Sequence, residues 1–186
     1  MTITGYIEQV FPFSYEKGGK LYRKKHVLVN YPFYSQINKI LFTVNDQLIL
    51  PEDWTRQYTF LFDAVTKFSH QKVFTDFYLH HINPALKVNE EAYLVVVDTK
   101  FCKQEMVLLK EEEVKGRIKN TVVLTGENQK LLHVFYWKDN HFLQQLDQTA
   151  TVQLNCRSLE YKDRWINNIE IWRTVEHDDF MGSIVL

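Results

Sequence analysis

The segment YKDRWINNIEIWR, residues 161–173, alternates large apolar with polar side chains on both sides of a charged Lys-Asp-Arg tip. A period of two sends successive side chains to opposite faces, so such a stretch buries one face only as an extended strand. The same alternation recurs in TITGYIEQVFPF near the start, LYRKKHVLVNY (21–31), NKILFTV (38–44), TFLFDAVTKF (59–68) and VFTDFYLHHI (73–82). EKGGK at 16–20 and SHQK at 69–72 supply the turn chemistry between them, giving five strands in the first half. An aromatic share of 15% with only 6 Gly and 4 Pro fits packed β structure rather than disorder.

The second half lies over the first with little drift. Arg23-Lys24-Lys25 falls on Arg117-Ile118-Lys119 at an offset of 94, and NKIL falls on QKLL (129–132) at 91. Thr59 falls on Thr151, and Val73-Phe74 on Trp165-Ile166, at 92, close to half of the 186 residues. An internal duplication is therefore expected, with AYLVVVDTKF (92–101) as the second copy's first strand and a boundary within 83–91, so that residues 1–88 and 89–186 form one domain each. The connections at 45–57 and 138–150 have room for a helical turn or short helix but not for a βαβ crossover. Five antiparallel strands with that insertion, twice over, predict tandem five-stranded Greek-key barrels of the OB type; one continuous β-sandwich is the alternative.

Charge balance excludes a global basic field, since 22 Lys+Arg face 23 Asp+Glu. The two cysteines, Cys102 and Cys156, lack CxxC spacing and read as reduced thiols of a cytoplasmic protein. No leader and no membrane span is expected. HExxH, P-loop, GxSxG and GxGxxG motifs are absent, and alternation turns the adjacent pair His80 and His81 to opposite faces. No enzyme activity, metal or cofactor is expected.

The ending VQLNCRSLEYKDRWINNIEIWR, through Arg157, Tyr161, Arg164, Trp165, Trp172 and Arg173, resembles the last hairpin of a small bacterial OB-fold family of unknown function. ITGYIEQVFP with YRKKHVLV is similar to that family's first hairpin, and KILFTV to its third strand. The resemblance covers most of the chain in two pieces. Either a whole copy was added, or the first and last hairpins belong to one domain with an insertion. It implies an OB fold and, by analogy with single-stranded DNA-binding proteins, single-strand binding.

An OB barrel receives oligonucleotides on the face of strands two and three, between the loops joining strands one to two and four to five. Cations must track phosphates and exposed rings must stack bases, at about 1–3 kcal/mol per base. The expected nucleic-acid-binding residues are Lys17, Lys20, Tyr22, Arg23, Lys24 and Lys25, with Tyr15 interleaved, and the tip cations Lys72 and Arg164. Phe74, Tyr78, Trp137 and Trp172 complete the set, while Trp165 shares a strand face with Ile169 and Ile171 and is expected in the core. DNA is the first expectation and RNA the second. A solvated hairpin and aromatic packing between domains are the competing accounts.

KEEEVKGR (110–117), placed in the equivalent loop of the second half, carries three adjacent carboxylates that repel phosphate. Residues 1–91 carry a net +1 and residues 92–186 a net −2, so the second copy is expected to bind less well. In the ending EHDDFMGSIVL, Asp178, Asp179, Phe180 and Leu186 match the acidic-apolar tail by which single-stranded DNA-binding proteins recruit replication or repair enzymes. Docking of that tail on the barrel or on a second subunit is the simpler account. The competing class for the whole chain is a protein-protein interaction or homodimer module without nucleic acid.

Overall fold

The computed structural model describes residues 1–69, 72–85, 95–101, 106–125, 131–140 and 150–175. Their regular structure is entirely β. The strands are β1 (Thr2–Lys17), β2 (Lys20–Phe33), β3 (Gln36–Asn45), β4 (Tyr58–Ser69), β5 (Lys72–Pro84) and β6 (Val95–Phe101). There follow β7 (Met106–Val114), β8 (Arg117–Thr125), β9 (Leu131–Trp137), β10 (Ala150–Tyr161) and β11 (Arg164–Val175).

The first five strands close into a barrel in the order β1-β2-β3-β5-β4, with β3 parallel to β5 where Phe42–Val44 meet Phe77–Leu79. That is the strand order of an OB barrel. Closure depends on β1, whose Thr2–Gly5 stretch pairs with β4 and whose remainder, from Tyr6 to Lys17, pairs with β2. A strand serving two neighbours must bend sharply, and the bend sits at Gly5. A Cβ there would lie 2.3 Å from the Asn30 carbonyl oxygen and 2.9 Å from Cβ of Tyr31, so only glycine lets the backbones approach. The register shift between Ile7 and Gln9 adds a bulge that continues the curvature.

Inside, Phe42 stacks on Phe60 at 5.9 Å between ring centroids and tilts against Phe62 at 4.9 Å, and Phe62 meets Phe77 edge-on at 5.6 Å. All four rings are fully buried. Each contributes about 1.5–3 kcal/mol by leaving water.

The later strands form a six-stranded sheet in the order β6-β10-β11-β9-β8-β7. Strands β8, β9, β11 and β10 repeat the order of β2, β3, β5 and β4, and β9 is again parallel to β11, through Phe135 and Glu170. The part played by β1 is divided, since β6 pairs with β10 while β7 pairs with β8. The expected tandem OB-like, all-β architecture is thus present.

Two details correct the sequence expectation. Lys110–Val114 extend strand β7 rather than forming a loop, because Lys115 and Gly116, both at positive φ, make the turn alone. Gly18 and Gly19 therefore correspond to Lys115 and Gly116, three residues further along than the overlay of Arg23 on Arg117 places them. The 46–57 connection is irregular, not helical, and is tied by the Tyr58 hydroxyl donating to the Asp53 carbonyl at 2.8 Å.

The chain divides into two compact units: Met1–Leu94 with Cys156–Asn168, and Val95–Asn155 with Ile169–Leu186. The far part of the β10–β11 hairpin is therefore built into unit 1. The Tyr31 hydroxyl donates to the Cys156 carbonyl at 2.5 Å. Ser158 Oγ accepts from the Leu41 N–H at 2.8 Å and donates to Asn167 Oδ1 at 2.6 Å. Burial pushes the Cys156 thiol up to about 12 and raises the Tyr31 hydroxyl above its ordinary value. The expected division between 88 and 89 falls outside the described residues, as does Cys102.

Replacing Gly5 with Ala is expected to lower unfolding stability by about 1–3 kcal/mol, because the new methyl meets backbone that cannot turn aside. A urea midpoint equal to that of the parent protein would show that closure does not depend on this contact.

Candidate nucleic-acid interface

Alternation on a closed barrel sorts each strand into an inward and an outward set. Val27, Val29, Phe42, Val44, Phe77 and Leu79 are buried inside, so Tyr22, Lys24 and His26 on β2, Thr43 on β3 and Asp76 and Tyr78 on β5 face outward. Register brings Phe13 and Tyr15 of β1 beside them, paired with Lys24 and Tyr22.

The result is a strip of alternating rings and cations across the strands. Tyr15 and Tyr22 stack at 5.2 Å with their planes 12° apart. The Lys24 ammonium lies 5.5 Å from the Tyr15 ring centroid and 5.4 Å from that of Tyr78. Beyond Tyr78, Lys67 stands 5.1 Å over the same ring, donates to the Tyr78 hydroxyl at 2.6 Å and pairs with Asp76. Burial pulls the Lys67 pKa down, but hydrogen bonds to Asp76 and Tyr78 outweigh it and the net shift is upward. At the other end Phe13 packs on His26 at 4.1 Å. Burial lowers the His26 pKa, opposed by the charge of Asp76 and reinforced by that of Lys24.

Of the expected residues, Lys17 and Lys20 flank the Gly18-Gly19 turn as a pair, exposed, on the outward side with Tyr15 and Tyr22. Tyr22 is 40% exposed and Phe74, paired with Lys67, is 48% exposed. Arg23 and Lys25 do not join them: they pair with Ser14 and Pro12 on the opposite face, and Lys25 lies 3.7 Å from Asp46. A run of three cations on a strand cannot present all three charges to one side. Lys72 is exposed at the start of β5. Arg164 is exposed beside Lys162 and Asp163, the two positive-φ residues of the β10–β11 turn, in unit 1.

Trp165 is not core. Half-buried, it lines a groove of about 300 Å³ in unit 1 with Ile37, Lys39, Arg157, Leu159 and Glu160. Ile169 and Ile171 do reach the core, but in unit 2, because the strand passes from one unit to the other between them and Trp165. Asp178, Asp179, Phe180 and Leu186 lie outside the described residues. Lys67, Phe13 and His26 were missed. Their proximity to Lys24 and Tyr78 arises from cross-strand register, which only a correct pairing of β1, β4 and β5 reveals.

The corresponding face of unit 2 is organised differently. Trp137 lies under the Arg117 guanidinium at 4.4 Å and meets Phe135 edge-on, and Lys119 stands 4.6 Å over Phe135. Each of these cations is held by a carboxylate. Arg117 donates through Nε and Nη2 to Asp139 at 2.9 and 2.8 Å, and Glu112 sits between Lys110 and Lys119, 3.6 Å from the latter. The hydrogen bonds to Asp139 raise the Arg117 pKa, and that from Lys110 lowers the Glu112 pKa. Trp172 is half-buried, and its backbone carbonyl accepts from Asn140 at 2.8 Å.

Strand order and outward faces define a tandem OB-like barrel protein with one ring-and-cation strip in unit 1. No protein-family model matches the chain, and no curated protein matches it. Among solved structures it is similar to a deletion mutant of the single-stranded DNA binding protein from Thermus aquaticus, at 12% identity over 94% of this chain and 92% of that one, with a TM-score of 0.47. Among the described residues no His/Cys/Asp/Glu cluster is arranged to hold a metal, and no helix is long and apolar enough to cross a membrane.

His26 and His133 both have lowered pKa values, chiefly through burial. The unfolded chain takes up protons near about pH 6.5 while the folded chain resists them, so their contribution to stability is present above that pH and is lost as pH falls below it. Urea midpoints should drop between about pH 7.5 and about pH 5.5, and less so for His26→Gln. An unchanged pH dependence in that variant would contradict the assignment.

Proposed function

We propose that this chain binds single-stranded nucleic acid, DNA before RNA, with little sequence preference, through the outward face of unit 1. The observation that carries this is Lys24, held between the rings of Tyr15 and Tyr78 and without an ion pair among the described residues. Rings recognise the π-face that every base has and ammonium groups the phosphate that every nucleotide has, which supports binding that is indifferent to sequence. Lys17 and Lys20 at the hairpin tip and Arg164 and Lys72 at the four-to-five turns extend the cationic track. The chemistry is binding, not turnover. Two cysteines without CxxC spacing or a multi-cysteine framework fit a reducing, cytoplasmic compartment.

Fluorescence polarisation with labelled oligo-dT tests this directly. Binding should appear at low salt and weaken steeply as salt rises, because phosphate contacts release counterions. Tyr22→Ala should cost about 1–3 kcal/mol, the stacking of one base. Lys24→Glu should weaken binding more than Lys25→Glu, which changes the opposite face. Absent or salt-independent binding would overturn the assignment.

A second function, protein-protein association without nucleic acid, draws on strand β7. It ends the sheet order of unit 2, and Val107, Leu108 and Leu109 on it are 60, 57 and 45% exposed. An apolar edge strand is a template for another chain. Sedimentation of the parent and of Leu108→Lys decides it: a concentration-dependent mass that the variant abolishes supports this account, and a parent protein monomeric at all concentrations removes it.

A further inference from the structure

The two outward faces carry the same kinds of side chain with different partners, and this difference deepens the proposed function, on which it rests. In unit 1 the ring-bound cation Lys24, like Lys17 and Lys20, forms no ion pair among the described residues. Two outward cations there are paired, Lys67 with Asp76 and Lys39 with Glu8. In unit 2 the outward set reads Lys110, Glu112, Lys119, Arg117 and the buried Glu170 opposite Phe135, with Asp139 at the following turn. Glu112 serves Lys110 and Lys119 together, and Asp139 takes the Nε–Nη2 edge of Arg117.

A phosphate approaching Arg117 meets a guanidinium whose Nε–Nη2 edge already holds a carboxylate, and it meets the charge of that carboxylate as well. A phosphate approaching Lys119 meets Glu112. Affinity for a single strand grows with the number of phosphates neutralised, and a face whose cations are neutralised internally offers little to that sum.

We infer that unit 2 carries a latent single-strand surface, kept closed by Asp139 and Glu112, so that each chain has one working nucleic-acid site, in unit 1. The carboxylates are then the specificity-determining residues: they exclude a polyanion from a face that otherwise has the Trp137 ring and the cations Arg117, Lys119 and Lys110 to hold one. Both are accessible to substitution, with the Asp139 side chain 59% exposed and that of Glu112 29% exposed.

Calorimetric titration with an oligo-dT of about ten residues, within the span of one OB barrel, counts sites per chain. The parent should take one, and the Glu112→Gln/Asp139→Asn double variant should take two, with a steeper salt dependence. Lys24→Glu alone should weaken the single site, and Lys24→Glu combined with the double variant should recover a site of full occupancy. Two sites in the parent, or one site in the double variant, overturns the inference while leaving the unit 1 site standing. No binding by the parent at low salt instead removes the unit 1 site itself.

Discussion

Everything described for unit 1 follows from the contact between Gly5 and the backbone of Asn30 and Tyr31. A sheet of five strands left open has two edges and two faces of equal standing. Once β1 bends at Gly5 and reaches β4, one face becomes an interior, packed by Phe42, Phe60, Phe62 and Phe77, and the other becomes the outside. The outward placement of Tyr15, Tyr22, Lys24 and Tyr78 is the other side of that packing. On a strand with period two, the residues that do not enter the core have one place to go.

Closure also accounts for the arm that unit 1 receives from late in the chain. Leu28 and Leu41 point outward from β2 and β3, yet they are buried. The Cys156–Asn168 segment belongs to their unit, and Ser158 takes up the Leu41 N–H. Tyr31 ties the same segment by donating to the Cys156 carbonyl. Part of the outward face is thus used for packing, and the part left uncovered, from Phe13 and His26 to Lys67, is where cations and rings alternate. The same alternation in unit 2 produces a face whose charges are spent on one another, through Asp139 and Glu112. The two units share a strand order and differ in what their outward residues offer a polyanion.

Much of this was legible in the linear chain. Alternating runs marked β1 to β5, the Gly18-Gly19 turn marked the first hairpin, and the strand ends at Ser69 and Lys72 do correspond to those at Tyr161 and Arg164 at an offset of 92. Other parts were not. Arg23, Lys24 and Lys25 read as one basic cluster, but only Lys24 faces the rings. The acidic run at 111–113 read as a loop because the overlay of the two halves set the turn three residues too early, although β7 continues through it. Trp165 read as core because two isoleucines share its parity, although it lies in a different unit from them. In each case local pattern was right about the strand and silent about which neighbour lay beside it.

Strand positions, turns and the two parities of each strand are local properties, set by side chains within a few residues of one another, and the amino-acid order settles them. Which parity is outside, which Lys stands between which rings, and which cation is met by a carboxylate depend on register between strands up to about sixty residues apart. A slip of one residue in that register exchanges the two faces, and no local pattern penalises the slip. Only the closed barrel does, because Val27 and Phe42 must fill its interior, and that is what leaves Lys24 between Tyr15 and Tyr78.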